Sequence, residues 1–313
     1  MRRPPELPEA LRHRPFTLEQ ARSAGLTPRR LRAGDLVRPC TGARVSAAAE
    51  ETLLLRVAAV GAVTGAIASH LSAALLWGFP LPLACQNRDE IHLTLPVGRR
   101  ALRRTGVIGH QLDLEPAEIT AGRHVQCTSA LRTWFDLAGM LELEDLVAAG
   151  DFLLRRRNPL STLAELDGFL AAKAAKPGYR KAMRARVLLR ANTDSAKETE
   201  VRLMLRRYGL PEPAINVPMF DETGRWIQDP DMSYEREKVA IQYDGAHHTS
   251  AVQRRSDIFR DENAREAGWR VVVLTQADLD VLAPGMEPRA VTRVRKALME
   301  RDWAPEPARR RRR

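Results

Sequence analysis

Asp231 and Asp244 are the residues whose type and spacing are best suited to chemistry. They sit in two runs of strand-forming residues, Arg225 to Tyr234 and Lys238 to Asp244. Side chains alternate along a strand, so Asp229 and Asp231 share one face of the first run, and Gln242 and Asp244 share one face of the second. Val239, Ile241 and Tyr243 have the opposite parity and offer an apolar face to a core. Two such strands side by side bring several oxygen-bearing side chains together, which is what Mg2+ or Mn2+ requires: a hard cation with one or two carboxylates, its shell completed by water and substrate phosphate. Such an ion polarises a phosphate ester and lowers the pKa of an attacking water. Asp231 and Asp244 are therefore the expected metal ligands, with Gln242 as a neutral third ligand or the group that positions the water. His247 and His248 follow Gly245 and are the expected general base or donor to the leaving oxygen. Arg254 and Arg255 could meet phosphate, or could belong to a salt-bridged surface helix. Asp229 lies beside Pro230, where turn formation explains it better than catalysis.

The elements that must position these groups read as one helix, three strands, one helix, one strand and a last helix. Ser195 to Tyr208 is amphipathic, with Ser195 as cap, Glu198 at its third position and Gly209 as its stop. Strands are expected at Ala214 to Phe220, Arg225 to Tyr234 and Lys238 to Asp244. A helix from Val252 to Glu266 and an apolar strand from Trp269 to Thr275 complete a β-α-β crossover.

Upstream, Thr17 can cap a helix from Leu18 to Ala24, which Gly25 ends. Thr27-Pro28 opens a second helix carrying Arg29, Arg30 and Arg32, and Leu36-Val37-Arg38 with Ala43-Arg44-Val45 reads as a hairpin wing. That pattern is a winged helix-turn-helix with the second helix as the reader of DNA, or else a small structural knob. Ser69 caps a helix from His70 to Gly78, and His70 reads as a capping or core hydrogen-bonder. Ile91 to Pro96 alternates as a strand that can pair with Val107 to Leu112 as a hairpin. The arginines between them, Arg99, Arg100, Arg103 and Arg104, suit phosphate or simply a solvated face. Two further helices, Thr128 to Gly139 and Leu143 to Leu154, read as scaffold, and the polar Ala191 to Ser195 is the expected main boundary.

Composition bounds the partner. The 313 residues carry 50 Lys plus Arg against 39 Asp plus Glu, a net charge of +11. Five of those positive charges lie in Arg309–Arg313, so the body alone carries +6. A basic body with 5% aromatic residues suits a polyanion gripped through phosphates more than through stacking. The three cysteines have neither disulfide-framework nor zinc-site spacing and fit a reducing cytoplasm. The start lacks the apolar core of a secretion signal, and Val57 to Phe79 is too interrupted for a membrane span. The fold class expected is multi-domain α+β: residues 1–48 a winged helix-turn-helix, 49–190 a helical and β-hairpin middle domain, 191–302 the α-β-β-β-α-β domain, and 303–313 a basic disordered tail.

Two resemblances sharpen this. Asp231-Met232-Ser233-Tyr234, then Lys238 through His248, with Asp257 to Arg260 and Gly268-Trp269-Arg270-Val271-Val272 in the same order, resemble the PD-(D/E)XK restriction-endonuclease-like domains related to very-short-patch mismatch repair endonucleases. The resemblance covers roughly Ser195 to Leu282 and implies Asp231 as the metal-binding aspartate, Asp244 as a following acid and Glu198 as the helix-one glutamate. The second-strand acid falls on Gln242, where that family usually has glutamate; an amide contributes no charge, so metal affinity should fall. More loosely, Leu18 to Arg44, Ser69-His70-Leu71-Ser72-Ala73-Ala74 with Gly78-Phe79-Pro80, and Thr128 to Ala138 resemble the abortive-infection type IV antitoxin family. That resemblance implies sequence-specific binding of double-stranded DNA through Arg29, Arg30 and Arg32, and a partner protein from a toxin-antitoxin or defence cassette. The expectation is a Mg2+-dependent DNA endonuclease with an N-terminal DNA-binding module; the alternative is an antitoxin-like regulator whose nuclease fold has lost its chemistry.

Overall fold

The computed structural model describes residues 4–100, 102–122, 125–245, 260, 262–281, 283 and 285–305. The chain is mixed α+β and divides into two compact units, 1–146 with 164–184, and 147–163 with 185–313. His247, His248, Arg254 and Arg255 lie outside the described residues.

The first unit opens with α1 (Glu9–Arg12), β1 (Phe16–Thr17), α2 (Leu18–Ser23), β2 (Leu36–Val37) and β3 (Ala43–Ser46). Thr17 caps α2 in a reciprocal box with Gln20. The three strands form a small sheet in the order β1-β3-β2, closed over Leu7, Leu11, Phe16 and Ala21. The second helix expected from Thr27-Pro28 is a single 3-10 turn, Arg30–Arg32. It goes no further because Ala33 is already extended and the Arg30 guanidinium is drawn back in a bidentate pair with Asp35, at 2.8 Å for both contacts, and onto the Pro5 carbonyl.

The stretch from Val57 to Phe79 is divided by left-handed Gly65 and a short strand, giving α3 (Leu53–Thr64), β4 (Ile67–Ala68) and α4 (His70–Trp77). Among the described residues no helix is long and apolar enough to cross a membrane. After α5 (Leu83–Gln86) come β5 (Ile91–Pro96), β6 (Arg103–Arg104), β7 (Val107–Leu112), β8 (Ile119–Ala121) and β9 (Gln126–Thr128), in a six-stranded sheet ordered β6-β7-β5-β4-β9-β8. The expected β5–β7 hairpin is corrected: the two strands are parallel, with Ile91 opposite Val107 and Pro96 opposite Leu112. The tight turn belongs instead to β6 and β7, where Gly106 takes φ +70° and Arg103 and Arg104 pair antiparallel with Ile108 and Val107. α6 (Ala130–Leu137), capped by Ser129, follows, and α7 (Leu143–Leu153), α8 (Leu163–Ala172) and α9 (Tyr179–Leu188) carry the chain between the units.

In the second unit, α10 (Ala196–Arg207) is capped by Ser195, whose hydroxyl accepts the Glu198 N–H at 3.2 Å. The expected strand Ala214 to Phe220 is broken into β10 (Ala214–Ile215) and β11 (Met219–Phe220), and Arg225 to Tyr234 into β12 (Trp226–Gln228) and β13 (Met232–Tyr234). Pro218 and Pro230 fall at the two breaks, where each removes a ladder donor. β11 and β12 form a separate hairpin, while β10, β13, β14 (Val239–Tyr243) and β15 (Arg270–Leu274) form the main sheet in that order. β13 is antiparallel to β14, and β14 is parallel to β15, the crossover that the pattern of apolar strands implied. The described part of the intervening helix, α11, is 262–266; α12 (Gln276–Leu279) and α13 (Arg289–Met299) follow. One core gathers Val201 and Leu205 of α10, Val291, Val294 and Leu298 of α13, and Met232, Val239, Ile241, Val272 and Leu274 of the sheet. A second cluster, Met219, Ile227, Ala240, Ala264 and Trp269, is built around the opposite parity of β14. Each such aliphatic side chain taken fully out of water stabilises by about 1.5–3 kcal/mol, which fixes the strand register strongly.

Candidate functional site

Register decides which oxygens can meet. Met232 is opposite Ile241 across the antiparallel pair, so continuing the ladder by one residue sets Asp231 opposite Gln242 on the same face, with Asp244 two residues further on that face. Asp244 N–H still bonds to Leu274 O at 2.7 Å, which holds the extended path past the end of β14. Asp231 and Gln242 are half-buried and Asp244 is exposed. The backbone around Asp231 is pinned on both sides: its carbonyl accepts the Asn216 N–H at 3.1 Å, and its Oδ2 accepts the Tyr243 N–H at 2.6 Å.

Glu198 brings a third oxygen function from the first turn of α10 and is 4% exposed. Its Oε2 accepts the Asp194 N–H at 2.9 Å and the Asn216 side-chain amide at 2.8 Å, reaching one residue further back than a reciprocal box with Ser195 would. Asn216 is held in turn by Asn192 O at 2.8 Å and takes φ +49°, a backbone state few residues other than asparagine accept. Burial pushes the Asp231 carboxyl up to about 6; Glu198 and Asp194 push the same way, while the Tyr243 N–H and Arg156 oppose them. Burial also raises Glu198, against the hydrogen bonds from Asp194 and Asn216. Arg156 pairs with Asp194 and, at 3.0 Å, with Asp229, so it is the described counter-charge on this side of the group. Asp229 also accepts the Trp226 indole N–H at 2.9 Å, in the break between β12 and β13.

No family model matches the chain. Two curated relatives, Uncharacterized protein MT2308 of Mycobacterium tuberculosis strain CDC 1551 / Oshkosh and Uncharacterized protein Rv2248 of strain ATCC 25618 / H37Rv, are each 29% identical over 252 residues, covering 79% of this chain and 88% of the relative. Among solved structures, the RV2827C protein from Mycobacterium tuberculosis aligns over 56% of this chain and 71% of its own, with 16% identity and a TM-score of 0.38.

Of the expected nucleic-acid contacts, Arg29 and Arg32 are exposed, whereas Arg30 is 7% exposed and committed to Asp35. Arg30 therefore holds the turn in shape and leaves its two neighbours to face solvent. Reading by strand parity missed Asp194 and Asn216, because both act from loops. The signal available was local: Asn192, Asp194 and Asn216 are turn and capping residues beside a helix start and a strand end.

A second constellation lies in the first unit. One ring nitrogen from each of His70, His92 and His110 lies within 4.8 Å of the others, and among the described residues this is the group of three or more His, Cys, Asp or Glu side chains that close. The carboxylates of Glu198, Asp231 and Asp244 are more widely spread. His92 and Thr94 share a face of β5, and Thr94 is opposite His110 of β7, so the parallel register places both histidines on one side of the sheet. His70, the first residue of α4, stacks on His110 with centroids 3.7 Å apart and planes at 15°. His92 Nδ1 and His110 Nε2 are 2.9 Å apart. Burial pushes His70 down to about 3 and His92 to about 4, and lowers His110, so all three rings are neutral at pH 7. His70 is therefore a member of a three-ring cluster; the spacing of His92 and His110 along the sequence gave no sign of it, because only the parallel pairing of β5 and β7 brings them together.

Proposed function

We propose that this protein is a metal-dependent DNA endonuclease in which the second unit cuts and the N-terminal segment binds DNA. The observation that carries the reading is the juxtaposition of Asp231, opposite Gln242 across the β13–β14 ladder, with the buried carboxylate of Glu198. The donor set suits a hard divalent ion: all its donors are oxygens, and burial raises the Glu198 and Asp231 carboxyls. Asp231 and Asp244 would hold Mg2+ or Mn2+, with the Gln242 carbonyl as a neutral ligand and Glu198 behind them. When bound, the ion would supply polarisation of the scissile phosphate and a more acidic attacking water. Asn216 and the Asp194 N–H orient Glu198, and the Tyr243 N–H fixes the Asp231 carboxylate. In this reading His247 or His248 moves the proton, and Arg254 and Arg255 grip the phosphates. The order α1, β1, α2, 3-10 turn, β2, β3 follows a winged helix-turn-helix with its second helix reduced to one turn, and in this reading the exposed Arg29 and Arg32 at that turn meet double-stranded DNA.

The amide at Gln242 favours one alternative, an antitoxin-like DNA-binding regulator acting with a partner protein, in which the nuclease fold retains phosphate grip without cleavage. Incubating the full chain with supercoiled, linear and single-stranded DNA, with Mg2+ or Mn2+, decides between them. Cleavage that needs the ion and is lost in Asp231→Asn is expected. Cleavage that survives both Asp231→Asn and Asp244→Ala ends the assignment of these residues, and DNA binding with no cleavage under any ion leaves the regulator.

A further inference from the structure

We propose that His70, His92 and His110 form a second metal site, for a borderline divalent transition-metal ion such as Zn2+. The site belongs to the first unit and does not depend on the nuclease reading. Three imidazoles are a ligand set for Zn2+, Ni2+ or Co2+ and a poor one for Mg2+, which seeks oxygen. The nitrogens are already at ligand spacing: two atoms each about 2.0–2.1 Å from one ion lie roughly 3 Å apart, and His92 Nδ1 and His110 Nε2 are 2.9 Å apart.

The backbone is also set toward the cluster. His70 takes φ +48°, a left-handed conformation that a side chain with a Cβ rarely adopts at the start of a helix. That conformation carries the His70 ring onto His110 and into the cluster.

The surroundings are those of a supported ligand sphere. Ser69 Oγ lies 3.0 Å from His70 Nδ1 and receives the Thr94 hydroxyl at 2.6 Å, so His70 can ligate through Nε2 while Ser69 and Thr94 fix its tautomer. Contrary to the cap expected of it, the Ser69 hydroxyl accepts no backbone N–H of α4, and its side-chain contacts are to His70 and Thr94 instead. The His92 backbone is held by the Ser72 hydroxyl at 2.8 Å and by the Ser69 N–H at 3.1 Å, which ties the start of α4 to β5. On binding, the contact between His92 and His110 gives way to two metal–nitrogen bonds; the ring that donates in that contact moves its single proton to its far nitrogen, so that both facing nitrogens present a lone pair. His110 is half-buried, the most accessible of the three rings.

The test uses the full chain stripped with a chelator and titrated with Zn2+ and Co2+, beside His110→Ala, Ser69→Ala and Asp231→Asn. Expected, with excess Mg2+ present to occupy the oxygen-lined site, are one Zn2+ or Co2+ per chain in the wild type and in Asp231→Asn, loss of uptake in His110→Ala, and affinity lowered about tenfold or more in Ser69→Ala. Equal uptake by wild type and His110→Ala overturns the proposal, as does loss of uptake in Asp231→Asn alone. Should His110→Ala lose its helical circular dichroism, the visible spectrum of the Co2+ wild type decides: nitrogen ligation supports the site, and a hexa-aqua-like spectrum overturns it.

Discussion

Asp231 Oδ2 accepts the backbone N–H of Tyr243 at 2.6 Å, so the carboxylate of one strand is locked to the end of its neighbour. The bond lowers the energy of the charged form, but burial wins, and the group stands at about 6 against an ordinary 3.8. A raised carboxyl contributes stability that is full below 3.8 and lost as pH climbs through about 6. Asp231→Asn keeps an acceptor for Tyr243 and removes the charge, so the metal-free variant should melt above the wild type at pH 7.5. That advantage should shrink as pH falls from 7 to 4. Thermal melts across this range, in chelator, check both the sign and the window.

Gln242 is opposite Asp231 by register, which makes Gln242→Glu a direct test of the shared face. An added carboxylate should tighten Mn2+ binding on the order of tenfold, the scale on which ligand charge tunes such sites. The same change should lower the metal-free melting temperature, since it sets a like charge against Asp231 across the strands. Calorimetry showing equal or weaker Mn2+ affinity would remove Gln242 from the site.

The parts of this site legible in the sequence are those governed by strand parity and capping. Parity puts Gln242 and Asp244 together, and the apolar face through Val239 and Ile241 is fully buried, as alternation implies. Ser195 as helix cap was equally local. What could not be read is what depends on pairing between distant strands. Nothing near Val107 says that β7 lies parallel to β5 and not antiparallel, and that choice alone assembles the three histidines. Likewise the punctuation at 191–195 gives no hint that residues 147–163 belong with the C-terminal unit, a matter of packing and buried charge.

The N-terminal arginines separate by what holds them. Arg29 and Arg32 are exposed, and replacing both by alanine should weaken DNA binding and flatten its salt dependence by about 1.8 in log–log slope, at about 0.9 per phosphate contact. Arg30→Ala should instead cost stability, about 1–3 kcal/mol for a bidentate charged pair, with the salt slope preserved in protein that remains folded. Salt titrations paired with denaturant melts distinguish the two classes. Equal loss of slope for Arg30→Ala would mean that its guanidinium leaves Asp35 to contact DNA.

Arg202 and Asp151 form a fully buried ion pair in the second unit. Their side chains are 0% and 1% exposed, 2.8 Å apart, and Asp151 also accepts the Thr199 hydroxyl and the Arg190 backbone N–H. Arg202 reaches on to Glu212 at 3.0 Å, a carboxylate that Arg190 and Arg206 also hold. Removing Arg202 leaves the Asp151 charge buried without its cation, an arrangement that typically costs about 3–5 kcal/mol. Arg202→Met, which keeps the aliphatic volume, should therefore destabilise by that amount in urea. Adding Asp151→Asn to it should recover part of the loss, because the orphaned charge goes as well. A double variant no more stable than Arg202→Met would show that the cost comes from lost packing and the Glu212 contact, with the Asp151 carboxylate already neutral in the fold.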